Sequence, residues 1–145
     1  MTLKVVIGLD GHSTGEKALD HGRRLAEMAG DCELIVAFVI EWSPFSFQTA
    51  EENAERHKRR EEEISQARDR VVAPAVEQLT SGGFSATGRV RHGNVADALD
   101  AIAAEEGAHQ IVVARSSDNG LSSRIFGSST ANLVMHARVP VTVVP

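Results

Sequence analysis

Short apolar runs alternate with stretches of helical spacing along the whole chain. All but the third run are nearly continuous in Val, Ile and Leu, which is typical of strands covered by helices on both faces. Thr87, Arg89 and Arg91 interrupt the third run, so we expect it to be an edge strand. The five runs are residues 4–9, 33–40, 86–91, 109–114 and 141–144.

The stretches between the runs have the spacing of amphipathic helices. Ser13 or Thr14 can cap the first helix, and Gly30, just after its end, supplies the left-handed residue that stops it. Pro74 falls inside the second and longest stretch, so we expect a kink there or a helix that begins a turn later. The four stretches are residues 13–29, 49–79, 94–106 and 128–137.

Strict alternation of strand and helix favours an α/β fold with one parallel sheet and right-handed crossovers. The 145 residues fit a single doubly wound domain, with helices on both faces of a five-stranded sheet, and leave no room for a multidomain enzyme. The expected domain therefore spans residues 1–145.

Charge and composition exclude several classes of protein. Fifteen Lys plus Arg against twenty Asp plus Glu leave a net charge of -5, so we expect neither a nucleic-acid nor a membrane-surface partner. The apolar stretches are shorter than the roughly 20 residues that span a bilayer. The first ten residues lack the features of a signal peptide, so we expect a cytoplasmic protein. Cys32 is the only cysteine, which excludes an intrachain disulfide and a thiolate zinc cage.

The loops that follow the first and fourth strands are the candidate binding regions, because open parallel sheets bind ligands outside the carboxyl ends of their strands. The second loop, residues 115–130, is rich in serine and leads into a helix. Ser128 and Ser129 can offer hydroxyl and backbone donors to a phosphate at the positive end of that helix, and Gly127 allows close approach. Arg115 and Arg124 add positive charge. Alternatively, Ser128 is only a helix cap and the loop only a connection.

Five short motifs lie along the chain: Val5-Val-Ile-Gly-Leu-Asp10-Gly, Gln110-Ile-Val-Val, Gly120-Leu-Ser, Gly127-Ser128 and the ending Ala137-Arg-Val-Pro-Val-Thr-Val-Val. Taken together, they resemble the universal stress protein family over the whole chain. The resemblance implies a sheet of order 3-2-1-4-5 and, in one branch of the family, an adenine nucleotide in the crevice. It also implies a homodimer that pairs the last strands through Val141, Val143 and Val144, which would otherwise leave an exposed edge.

In the nucleotide-binding branch of the family, two residues separate a first glycine from a second, and nine residues separate the second glycine from a Gly-Ser or Gly-Thr pair. Here Ala114 and Ser117 occupy the two glycine positions. An L-residue forced into the left-handed conformation costs about 1 kcal/mol, which lowers affinity roughly tenfold. Asp10 matches the acidic residue that contacts adenosine, and Val39 matches the residue beside the base. The implied site for ATP or AMP, with Mg²⁺ as a candidate companion, comprises Gly8, Leu9, Asp10, Val39, Val113, Ala114, Arg115, Ser117, Gly127, Ser128 and Ser129.

Motifs of catalysis are missing from the sequence. The serine-rich loop has no Walker lysine, the chain has no G-x-S-x-G nucleophile elbow, and its six histidines lie singly on different elements. We therefore expect a binding protein in the stress response, with slow ATPase activity as a weaker alternative. A second alternative is an interaction module of the same fold that takes no nucleotide.

Overall fold

The sheet has five parallel strands in the order β3-β2-β1-β4-β5, as the resemblance implied. The computed structural model describes residues 1–11, 15–41, 50–115 and 129–145. The strands are β1 Leu3–Leu9, β2 Cys32–Glu41, β3 Ser85–Gly93, β4 Gln110–Ala114 and β5 Val141–Val144. The helices are α1 Gly15–Ala29, α2 Ala50–Ala67, α3 Ala73–Ser81, α4 Val95–Glu106 and α5, residues 129–136, and a π-helical turn, Arg68–Val72, joins α2 to α3.

Two hydrophobic cores, one on each face of the sheet, explain the unbroken apolar runs. Val5 and Ile7 of β1 face the core beneath α1 and α3, whereas Val6 faces the core beneath α4 and α5. All three side chains are completely buried. A strand with both faces covered has no solvent face on which polar residues would alternate. β3 lies at one edge of the sheet, which confirms the prediction made from its interrupting polar residues.

The predicted ends of the first and third helices, at residues 29 and 106, agree with the structure. The second and fourth were predicted to end at residues 79 and 137, whereas α3 ends at Ser81 and α5 at residue 136. Gly30 and Gly107 follow α1 and α4 with φ of 79° and 66°, the left-handed conformation that glycine adopts without strain. Asn94 caps α4, because its side-chain oxygen accepts a hydrogen bond from the backbone N–H of Asp97 at 3.1 Å. The proposed caps Ser13 and Thr14 lie outside the described residues.

The predicted irregularity at Pro74 takes the form of a new helix start. The N–H of Ala73 donates to the carbonyl of Arg68, five residues back, so the π-helical turn ends there and α3 begins. Pro74 then lies in the first turn of α3, where its missing N–H is tolerated. The turn points Val72, 2% exposed, at Gly88 of β3. The long helix is therefore two helices.

The fourth predicted strand began one residue too early. His109 precedes β4, although its N–H donates to the carbonyl of Lys4 at 2.7 Å. Its ring nitrogen Nδ1 accepts the N–H of Lys4 at 3.0 Å. The ring of His109 thus accepts the hydrogen bond that a backbone carbonyl would accept in a regular parallel ladder.

Candidate functional site

The carboxyl ends of β1 and β4 lie side by side at the centre of the sheet. Gly8 pairs with Val113 in the parallel ladder, so Leu9, the last residue of β1, lies next to Ala114, and Asp10 follows at the edge of the sheet. Strand order reverses between these two strands, since β2 lies on the other side of β1 and β5 on the other side of β4. This is the switch point at which open α/β sheets bind ligands.

The candidate residues of the three strands belong to both faces of the sheet. Val39 and Val113 pack in the core beneath α4, whereas Leu9 and Ala114 pack against the core beneath α1. Val39, Val113 and Ala114 are each 8% exposed. The small exposed areas of these three side chains form an apolar rim at the carboxyl edge of the sheet.

Gly8 provides space for the protein's own packing. A Cβ atom on this residue would lie 3.0 Å from Leu99 Cδ1 and 3.0 Å from Val113 Cγ1. The side chains of Leu99 and Val113 fill the volume next to Gly8.

Ala114 does not need the conformational freedom of glycine. No described residue other than glycine has a positive φ. Ala114 is the last residue of β4, paired with Val144 of β5, and its methyl group is buried in the core beneath α1. The strain that an alanine at a glycine position was expected to add is therefore absent at this residue.

Asp10 lies near the amino end of α1. Its Oδ1 is 3.6 Å from the position that a Cβ atom on the buried Gly15 would occupy. A carboxylate near the first residues of a helix is stabilised by the positive end of the helix dipole. Gly11, with φ of 80°, turns the chain beside the ring of Phe38. The exposed Asp10 therefore lies between the carboxyl end of β1 and the amino end of α1.

Arg115 leaves β4 at the same edge. Its N–H donates to the carbonyl of Val144 at 2.6 Å, and the residue is exposed. Ser129 opens the described part of α5 and is half-buried. The other predicted phosphate contacts, Ser117, Gly127 and Ser128, lie outside the described residues, as does Arg124, and remain predictions.

Sequence reasoning missed a second opening at this end of the molecule. A groove of about 190 Å³ runs between α1 and the π-helical turn with α3. Pro74, which lines it, was the one signal in the sequence that the helix changes course there. Leu9 and Gly11 line the groove too, so it adjoins the candidate nucleotide site.

Neither a metal cluster nor a membrane-spanning helix is found in the part of the chain that the structure describes. No group of three His, Cys, Asp or Glu side chains there is arranged to hold a metal ion. No helix there is long and apolar enough to cross a bilayer.

The family model described as "Universal stress protein family" matches residues 1–145. No curated protein matches the chain. Among solved structures, the universal stress protein UspA from Lactobacillus plantarum is 16% identical, with a TM-score of 0.80 over 99% of this chain and 97% of that one. A universal stress protein in complex with cAMP is 26% identical, with a TM-score of 0.61 over 99% and 96%. One from Archaeoglobus fulgidus in complex with dAMP is 18% identical, with a TM-score of 0.59 over 99% and 98%.

Proposed function

The chain belongs to the universal stress protein family, and from that premise we propose that residues 1–145 form one adenine-nucleotide-binding domain that holds ATP or AMP without turnover. The observation that carries the proposal is the pairing of Gly8 with Val113, which brings Asp10 and Arg115 to the same edge of the sheet. Two similar structures are complexes with cAMP and dAMP, and both ligands contain adenine. We propose the stress response as its role and the cytoplasm as its location.

The adenosine end of the ligand is assigned to Asp10 and the apolar rim. The carboxylate of Asp10 accepts hydrogen bonds, and the hydroxyl groups of a ribose donate them. Val39 and Val113 offer apolar surface to the base, as small-molecule sites commonly do. Ala114 contributes its backbone at the end of β4, since its methyl group is buried in the opposite core.

The phosphate end is assigned to Arg115 and the start of α5. A guanidinium binds phosphate through two parallel donors. Ser129 lies at the beginning of the described helix, where free backbone N–H groups favour an anion. Ser117, Gly127 and Ser128 complete this part of the proposed site, and Mg²⁺ would accompany the phosphates of ATP.

We propose binding without hydrolysis because the sequence has neither a Walker lysine nor a nucleophile elbow. Slow ATPase activity is the alternative within this site. It would appear as a linear release of phosphate that Asp10→Ala abolishes.

The proposed assembly is a homodimer formed through β5. This strand lies at an edge of the sheet, and an unpaired edge is a template for another strand. Val134 and Met135 of the preceding helix are 53% and 77% exposed. A second copy would cover apolar surface as well as the backbone of β5.

An interaction module that takes no nucleotide is the second candidate. The packing of Leu99 and Val113 into the space at Gly8 favours it, because that glycine then has a structural reason that needs no ligand. Nucleotide that copurifies with the protein, seen as excess absorbance at 260 nm, would contradict this candidate.

A thermal-shift titration tests the proposed function. Ligand at 100 times its dissociation constant stabilises a folded protein by about 2.7 kcal/mol, which at this size raises Tm by several degrees. We expect this rise with ATP or AMP, a smaller one in Asp10→Asn, and an unchanged one in Asp31→Asn. Asp31 is the matched control, since it lies at the opposite edge and accepts a hydrogen bond from Thr2 at 2.8 Å. No shift with millimolar ATP, ADP or AMP would refute nucleotide binding.

A further inference from the structure

The groove between α1 and α3 has an apolar floor and charged walls. Leu19 and Ala75 are each 5% exposed, and with the half-buried Leu9 they form the floor. Glu16 stands on the α1 side, whereas Arg70 of the π-helical turn and Gln78 of α3 stand on the other. Opposite charges therefore flank a small patch of apolar surface.

The polar side chains of this groove have no partners within the described part of the chain. Glu16, Arg70 and Gln78 make no ion pair or side-chain hydrogen bond there. In particular, no nitrogen of Arg70 comes within 4.0 Å of a Glu16 carboxylate oxygen. The contrast is with Arg89, which engages two carboxylates at 2.7 Å each. The guanidinium of Arg70 and the carboxylate of Glu16 therefore line the same groove without a partner in the described part of the chain.

The groove has a volume of about 190 Å³. Sites for drug-sized ligands measure roughly 300–1,000 Å³. The groove is smaller than these sites and suits a small molecule. A π-helical turn in its wall fits a binding role, because such turns are frequent at functional sites.

We propose that this groove binds an apolar α-amino acid. The α-carboxylate would accept hydrogen bonds from Arg70 and Gln78, the α-ammonium would donate to Glu16, and the side chain would cover Leu9, Leu19 and Ala75. A zwitterion with an apolar side chain is the small ligand whose charges match both walls and whose body matches the floor. The proposal does not depend on nucleotide binding, since none of its three polar residues belongs to that site.

Isothermal titration calorimetry of the full chain with leucine and three analogues tests the proposed contacts of the carboxylate, the ammonium group and the side chain separately. The probes are 4-methylpentanoate, which lacks the ammonium group, 3-methylbutylamine, which lacks the carboxylate, and glycine, which lacks the side chain. We expect leucine to bind, and the two analogues that lack a charged group to bind about tenfold more weakly or worse, because each loses a charged hydrogen bond. Glycine should also bind more weakly, because it loses the apolar contact with the floor. An analogue that binds as well as leucine would overturn the assignment.

Single substitutions locate the binding. Arg70→Gln and Glu16→Gln should each weaken leucine binding about tenfold. Arg68→Gln and Glu27→Gln remove equal charges from exposed positions on the same two elements outside the groove, and should bind like the wild type. The proposal is refuted if leucine, isoleucine, valine, methionine and phenylalanine all fail to bind at millimolar concentration, or if the groove variants bind like the controls.

Discussion

Gly8 of β1 is paired with Val113 of β4, and the side chain of Val113, with that of Leu99, occupies the space that a side chain at position 8 would need. The two central strands can therefore end at the same level with α4 packed closely over them. The same pairing sets Asp10 and Arg115 at one edge of the sheet, so a single contact serves both the core and the proposed site.

Gly88→Ala should destabilise the protein. A Cβ atom at this position would lie 2.3 Å from Cγ1 of Val72, which is held in the π-helical turn. Forcing extra atoms into a packed core costs about 1–3 kcal/mol. Urea unfolding measures the loss. Gly82→Ala, whose new atom would have contacts no closer than 3.4 Å, should change the free energy of unfolding by less than about 0.5 kcal/mol. Equal stability of the two variants would contradict the packing described.

Glu105 should stabilise the fold in a pH-dependent way. Hydrogen bonds from Arg91 at 2.8 Å and Arg89 at 2.7 Å lower the pKa of this carboxyl from 4.5 to about 2. A lowered pKa means that the stabilisation is complete above the unfolded-state pKa and is lost as pH falls towards about 2. The effect is modest because Glu105 is on the surface.

Urea unfolding of the wild type and Glu105→Gln between pH 7 and pH 2 checks this dependence. The wild type should be more stable at pH 7, with a difference that shrinks below pH 4.5. Glu27→Gln, a control without a described partner, should show no such trend. A difference that stays constant down to pH 2 would argue against the ion pair.

The sequence predicted the sheet well because burial on both faces leaves a direct pattern. Residues such as Val5, Val6 and Ile7 are apolar in succession, and only a strand covered on both sides requires that. The ends of α1 and α4 were equally predictable, because the residues that follow them, Gly30 and Gly107, adopt the left-handed conformation that favours glycine. Strand order came from the family resemblance, because alternation alone does not set it.

The groove and the role of Ala114 could not be predicted in this way. The π-helical turn before Pro74 depends on the packing of Val72 against Gly88, and Gly88 belongs to β3, a strand distant in sequence. The glycine pattern marked Ala114 as a departure, but a pattern does not tell whether a position has a positive φ. Such features depend on tertiary contacts and backbone angles.

Val143→Pro should break the proposed homodimer. Pro140 and Val144 direct their carbonyl groups to β4, where Ile111 and Arg115 donate at 3.0 and 2.6 Å. Backbone groups alternate in direction along a strand, so Val143 presents its N–H to the free edge. Proline removes this donor and leaves the ladder to β4 intact.

Light scattering with size exclusion measures the mass of each variant. We expect a monomer for Val143→Pro and a dimer for the wild type and for Val143→Ala, which keeps the N–H. A dimeric Val143→Pro would place the interface elsewhere on the molecule.

Cys32 should react slowly with thiol reagents in the folded protein. The residue is 9% exposed, and burial raises the pKa of its thiol, with Asp31 and Glu33 adding to the effect. The thiolate is the reactive form, so both factors slow the reaction. A disulfide reagent should modify it much faster in concentrated urea than in buffer. Equal rates would contradict its burial.

An NMR titration with AMP tests the nucleotide site most directly, because each backbone N–H reports its own position. We expect the signals of Leu9, Asp10, Ala114 and Arg115, at the carboxyl edge, to shift and saturate, while those of Leu3 and Cys32, at the amino edge, stay in place. Unchanged signals at the carboxyl edge with millimolar AMP and ATP, or shifts confined to the amino edge, would contradict the account.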